Sequence, residues 1–127
     1  MKDKKLTIII NKPVNEVFSF TTNPDNTPKW IDSIVHEETN EEPKLGTIYK
    51  NQNQQGNWAE YQMTEYDKDK TFTMSQIGSN YHVKYTLTST TDHQTEFEYY
   101  EWVDNGTLEE PFTQDALEKL KTILESS

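Results

Sequence analysis

Period-two alternation dominates the middle of the chain. Tyr81, Val83, Tyr85 and Leu87 alternate with His82, Lys84, Thr86 and Thr88, as expected for a strand with one covered and one wet face. Residues 95–103 repeat the pattern, with Phe97 and Tyr99 in phase with Tyr85. Five earlier segments also read as strands. Residues 5–10 place Leu6, Ile8 and Ile10 on one face; 33–38 and 46–52 are shorter; 58–66 align Ala59, Tyr61 and Met63; and 71–77 carry Phe72 and Met74. Polar and glycine-bearing turns separate them, among them Asn53-Gln54-Gln55-Gly56-Asn57, Asp67-Lys68-Asp69-Lys70, Gly78-Ser79-Asn80 and Asn105-Gly106.

Helical spacing occurs twice. Val14, Val17, Phe18 and Phe20 follow Pro13, which suits the first helical position because its missing N–H is unpaired there in any case. Asn23-Pro24 and Thr27-Pro28 then interrupt the helix, since the residue before a proline leaves the α region, and put Trp30 and Ile34 in a separate short turn. At the other end, Phe112, Ala116, Leu117, Leu120, Ile123 and Leu124 recur at helical spacing and predict a helix over 109–125, about 25 Å long. Seven strands joined by hairpins, with two helical regions, make a single α+β domain over 1–127.

Composition changes this picture in one respect. Leu, Ile, Val and Phe make 25 of 127 residues and the net charge is −10, a balance that leans toward disorder. Fifteen aromatic residues offset it, each able to bury about 150–250 Å². The interior must therefore be rich in rings. Without cysteine there is no disulfide, thiolate nucleophile or thiolate metal site. All twelve basic residues are lysines, so no guanidinium fork is present to grip a phosphate, and the acidic balance argues against nucleic acid and anionic membranes. The five-residue apolar run after Lys5 is too short to insert in a membrane, and a cytoplasmic location is expected.

The spacing Ile-x-x-Pro-x-x-Val-Phe-x-Phe from Ile10, followed by Asn-Pro-Asp-Asn-x-Pro-x-Trp ending at Trp30, resembles the opening of the START-like superfamily in its polyketide cyclase/dehydrase-type branch. Leu45-Gly46-Thr47, Thr64-Glu65-Tyr66-Asp67 and the C-terminal leucine pattern extend the likeness over nearly the whole chain. The resemblance implies a helix-grip fold, a curved antiparallel sheet wrapped around a C-terminal helix, with a cavity for a hydrophobic small molecule between them. It implies no single chemistry, since the superfamily includes cyclases, lipid carriers and chaperone activators. The chaperone-activator branch carries a tryptophan early in its first helix, where this chain has Phe18.

Tyr61, Met63, Phe72, Met74, Tyr81, Tyr85, Phe97 and Tyr99 share the helix side of the sheet, where they can form a solid core or line a cavity. Tyrosine hydroxyls need partners and methionines adapt to varied shapes, which favours the cavity. Tyr61, Tyr81, Tyr85 and Tyr99 are then the groups that orient a ligand, and Trp30, Met63, Phe72, Met74, Phe97 and Phe112 its walls. Glu101 is the one carboxylate in phase with these rings and a candidate acid or base, a tyrosine hydroxyl polarising a carbonyl being the only other acid, though its place near a strand end points to a solvated rim. His36, His82 and His93 lack metal-ligand spacing and fall at a strand end, an outward face and a hairpin. The glutamates at 37, 38, 41 and 42 read as a solvated loop, and Glu96 and Glu98 as outward partners of Lys84. A neutral, partly apolar ligand such as a lipid, isoprenoid or polyketide-like ring system is expected, with no cofactor and no metal. The alternatives are a cofactor-independent cyclase or dehydratase acting on such a molecule, and a protein-interaction module with a protein partner.

Overall fold

The computed structural model describes residues 1–109 and 111–126. In chain order the elements are β1 (Asp3–Ile10), α1 (Val14–Thr22), a 3₁₀ turn (Pro24–Asn26), α2 (Thr27–Trp30), β2 (Ile34–Thr39), β3 (Ile48–Asn53), β4 (Trp58–Asp67), β5 (Thr71–Gln76), β6 (Tyr81–Thr91), β7 (Gln94–Val103) and α3 (Gln114–Glu125). All seven strands join one antiparallel sheet in the order β1-β7-β6-β5-β4-β3-β2. Strand seven lies beside strand one, so the sheet curls into a half-barrel whose inner face receives the helices, the α+β helix-grip arrangement.

Cross-strand register explains the inner face. Leu6 lies opposite Tyr99, Tyr99 opposite Tyr85, Tyr85 opposite Phe72 and Phe72 opposite Tyr66, so one row of four rings crosses four strands and ends on Leu6 in a fifth. A bulge between Met63 and Glu65 makes this row possible, because the extra residue reverses the side-chain phase of β4. Tyr61 and Met63 therefore point inward, and so does Tyr66, whose ring meets Phe18 at 5.7 Å.

Pro13 stands just before α1 rather than inside it, with extended ψ of 149°, and its carbonyl accepts the Glu16 and Val17 amides. Val17 and Phe18 are buried, Phe20 half-buried. Ile34 opens β2 instead of belonging to the turn that carries Trp30. The C-terminal helix is the larger correction. It begins at Gln114, not at 109, and its twelve residues span about 18 Å. Pro111 supplies no N–H to an earlier turn, and Thr113 is extended (φ −116°, ψ 154°), so the chain reaches α3 as a strap. Leu117, Leu120 and Leu124 form the buried face of α3, with Ile8, Ile10, Val17 and Phe97 in the same core.

Candidate functional site

Between the inner face of the sheet and the α2–strap layer lies a cavity of about 480 Å³, within the range of small-molecule sites. Exposed Ser33, Asn57 and Trp58 mark its mouth, and buried Tyr99 and Glu101 its inner end. Trp30, Tyr61, Phe72, Met74, Tyr81, Tyr85, Tyr99 and Phe112 all line it. Met63 and Phe97 do not. Both are 0 % exposed and lie in the packed core, Phe97 with its ring centroid 6.4 Å from that of Trp30. Strand alternation identifies a face, but not which part of that face the helices cover.

Trp30 is placed by the Pro28 turn, and its ring meets those of Tyr85, Phe97 and Phe112 edge to face. Its indole Nε1 is the one buried side-chain nitrogen or oxygen without a hydrogen-bond partner among the described residues. Phe112 stacks on Tyr99 with centroids 4.0 Å apart. The strap thereby becomes a wall of the cavity.

Glu101 is 1 % exposed rather than at a solvated rim. Its Oε1 accepts from the Tyr81 hydroxyl at 2.8 Å, and its Oε2 accepts from the Phe112 amide at 2.6 Å. Tyr81 and Tyr99 hydroxyls are 3.2 Å apart, so three polar groups run in sequence along the wall. Glu101 also pins the strap to β7, which sequence alone does not reveal because the partner is a backbone amide.

A second buried carboxylate is Glu37, read from the sequence as the start of a solvated loop. It is 9 % exposed; its Oε1 accepts from the Thr27 hydroxyl at 2.5 Å and its Oε2 from the Asn51 side-chain amide at 3.3 Å. The physical reason is a bulge between Ile34 and His36, which reverses the phase of β2 so that both Ile34 and Glu37 point inward. Burial raises the Glu37 pKa above the usual carboxylate range, opposed by the two hydrogen bonds and by His36. Tyr49, also missed, pairs with Tyr61 on the inner face and donates its hydroxyl to the Thr22 carbonyl at 2.6 Å. Alternation within β3 alone places Tyr49 and Asn51 on one face and was the available signal.

Burial holds all five tyrosines that line the cavity in their protonated form at neutral pH. The Tyr61 hydroxyl is pushed up to about 12, with Glu37 and Glu101 adding to the effect, and those of Tyr49, Tyr81, Tyr85 and Tyr99 rise for the same first reason. They are therefore hydrogen-bond donors. The hydroxyls of Tyr61 and Tyr85 have no hydrogen-bond partner among the described residues, yet neither is sealed in, so both open onto the cavity.

Elsewhere, His82 is outward as expected but not free. Its Nδ1 lies 2.8 Å from Ser75 Oγ and its Nε2 2.9 Å from Asp104 Oδ2, with its ring stacked on Trp102. Ser75 sits inside β5, paired on both sides, on the face away from the cavity, and its hydroxyl also contacts Thr64 Oγ1 at 2.9 Å. This is a surface network without the exposed amides an oxyanion requires. His36 contacts Glu38 at 3.2 Å and His93 is exposed in the last hairpin. Lys84 pairs with Glu65 at 3.0 Å, not with Glu96 or Glu98.

Among the described residues no helix is long and apolar enough to cross a membrane. No curated protein matches the chain in sequence. Among solved structures, a START superfamily protein from Mycobacterium smegmatis superposes with a TM-score of 0.78 at 10% identity, covering 99% of each chain. The Aha1 dimer from Colwellia psychrerythraea gives 0.71 at 17% identity over 98% of this chain and 97% of that one. The di-domain ARO/CYC protein BexL gives 0.67 at 12% identity over 81% of this chain and 36% of its own. These likenesses show the fold. The family model described as polyketide cyclase / dehydrase and lipid transport matches residues 2–125, and the chain belongs to that family.

Proposed function

We propose that this protein binds a ring-sized, largely apolar small molecule in the cavity behind Trp58. The observation that carries the reading is a lined, unfilled space of about 480 Å³ in which the Tyr61 and Tyr85 hydroxyls find no hydrogen-bond partner among the described residues. A well-packed interior leaves few such voids, and these two hydroxyls open onto this one with donors to offer. A ligand oxygen or nitrogen would satisfy both, while Trp30, Phe72, Met74 and Phe112 supply apolar contact. An isoprenoid or polyketide-like ring system suits this shape better than a two-tailed lipid, because the short α3 and its strap close the inner end at Tyr99 and Glu101. The unfilled cavity also weighs against a role confined to protein interaction.

A second reading, proton transfer on the bound molecule without a cofactor, is favoured by one feature. Tyr81 joins Glu101 at 2.8 Å and Tyr99 at 3.2 Å, giving a path along which a proton can pass to a ligand carbonyl. Native mass spectrometry after exposure to a lipophilic extract of the host tests binding. A retained small-molecule mass that weakens in Tyr85→Ala is expected; the bare 14.9 kDa chain alone would count against the ligand reading. Loss of turnover with retained binding in Tyr81→Phe would establish the enzyme.

A further inference from the structure

Among the described residues, every ionisable side chain that lines the cavity is an acid. Glu37 stands on the β2 side and Glu101 at the inner end, and five tyrosines complete the set; no described lysine or histidine lines it. Tyr61 and Tyr85 line the same cavity and each feel the charge of both carboxylates. Lys4 lies opposite Glu101 in the β1–β7 register, but it does not line the cavity and makes no ion pair with Glu101. His36 acts on Glu37 from the outer face of β2, where it is exposed and pairs with Glu38. Two carboxylates drawn into an apolar enclosure without a partner cation are costly.

The aromatic walls point the same way. Tyr85 is 7 % exposed, its hydroxyl has no hydrogen-bond partner among the described residues, and it stands within a group of rings that includes Trp30, Phe72 and Tyr99. Ring faces attract cations, repel anions, and do so more strongly when water is excluded. A carboxylate or phosphate would meet two like charges and no basic side chain.

Resting on the small-molecule reading above, we infer that the cavity selects a positively charged ligand: an organic ammonium on a ring or short apolar frame, its charge attracted by the Glu37 and Glu101 carboxylates that line the cavity and its frame against the rings around Tyr85. This departs from the neutral ligand expected from the sequence. The oxygens of both glutamates already accept hydrogen bonds, but each carboxylate oxygen has a further lone pair to offer an N–H.

Three matched probes separate charge from fit: 2-(naphthalen-2-yl)ethylammonium, the corresponding alcohol, and naphthalen-2-ylacetate. Titration calorimetry of the whole chain at pH 7 and low salt is expected to rank them ammonium, alcohol, carboxylate, with the ammonium at least about tenfold tighter than the alcohol. In Glu37→Gln/Glu101→Gln the ammonium and alcohol should bind within about twofold of each other, while a thermal melt checks that the variant is folded. An alcohol that binds wild type as tightly as the ammonium overturns the charge preference and leaves the cavity reading intact. A preference that survives in the folded double variant arises from the overall negative charge of the chain, −10 in the wild type, and overturns it equally. Failure of all three probes to bind contradicts both readings.

Discussion

The two ends of the inner face of one sheet are finished in opposite ways. At the α3 end, Ile8, Ile10, Val17, Phe97, Leu117 and Leu120 are 0–9 % exposed and apolar throughout. At the β2–β4 end the same face carries Glu37, Tyr49, Asn51, Tyr61 and Gln76 around an open space. The difference comes from how far the helices reach. α3 supplies three leucines to the first region and stops, and the strap before it contributes one ring and one amide to the second. Stability is concentrated where the face is filled, and recognition chemistry where it is not.

The largest effect should come from emptying the filled end. Phe97→Ala removes a fully buried ring and is expected to cost about 3–5 kcal/mol in urea unfolding. Tyr81→Phe, at the boundary, takes away one of the donors to buried Glu101 and should cost about 1–3 kcal/mol by the same measurement. A Tyr81→Phe loss as large as that of Phe97→Ala would erase the contrast between the ends.

Glu37→Gln probes the open end through pH. Because the folded carboxyl titrates above the unfolded one, it binds a proton more readily in the native state. Its favourable contribution is therefore fully present below the unfolded pKa and is lost as pH rises through the folded one. Wild type should lose stability relative to Glu37→Gln as pH rises above the unfolded carboxyl value of about 4 and through the higher folded one, read from paired thermal melts. The smallest effect belongs to Tyr85→Phe. Its hydroxyl has no protein partner to lose, so stability should change by no more than about 0.5 kcal/mol while ligand affinity falls. A large destabilisation would mean that this hydroxyl serves the fold.

Particular residues show what was legible in the chain. The alternation of Tyr81–Leu87, the Phe97–Tyr99 phase and the Pro13 and Pro28 breaks are local signals, and from them came all seven strands, the α+β class and most of the ring-lined wall. Glu37 was lost because a bulge at Val35 reverses strand phase, a backbone event that leaves no mark in the pattern of side chains. Glu101 was seen as inward, but its burial depends on a strap that Pro111 and Thr113 hold out of the helix. Met63 and Phe97 were placed on the correct face but are fully buried outside the cavity lining, because which part of that face is covered is a tertiary fact.

The most direct test uses the two internal methionines as reporters of the cavity wall and of the sealed interior beside it. Met74 lines the cavity, whereas Met63, its cross-strand neighbour, is 0 % exposed in the core. With ¹³C-methyl methionine labelling, NMR titration of the naphthyl ammonium and alcohol probes should move the Met74 methyl strongly and the Met63 methyl far less. Shifts confined to the exposed Met1, or no saturable shift at Met74 with either probe, would contradict a ligand site between the sheet and the strap.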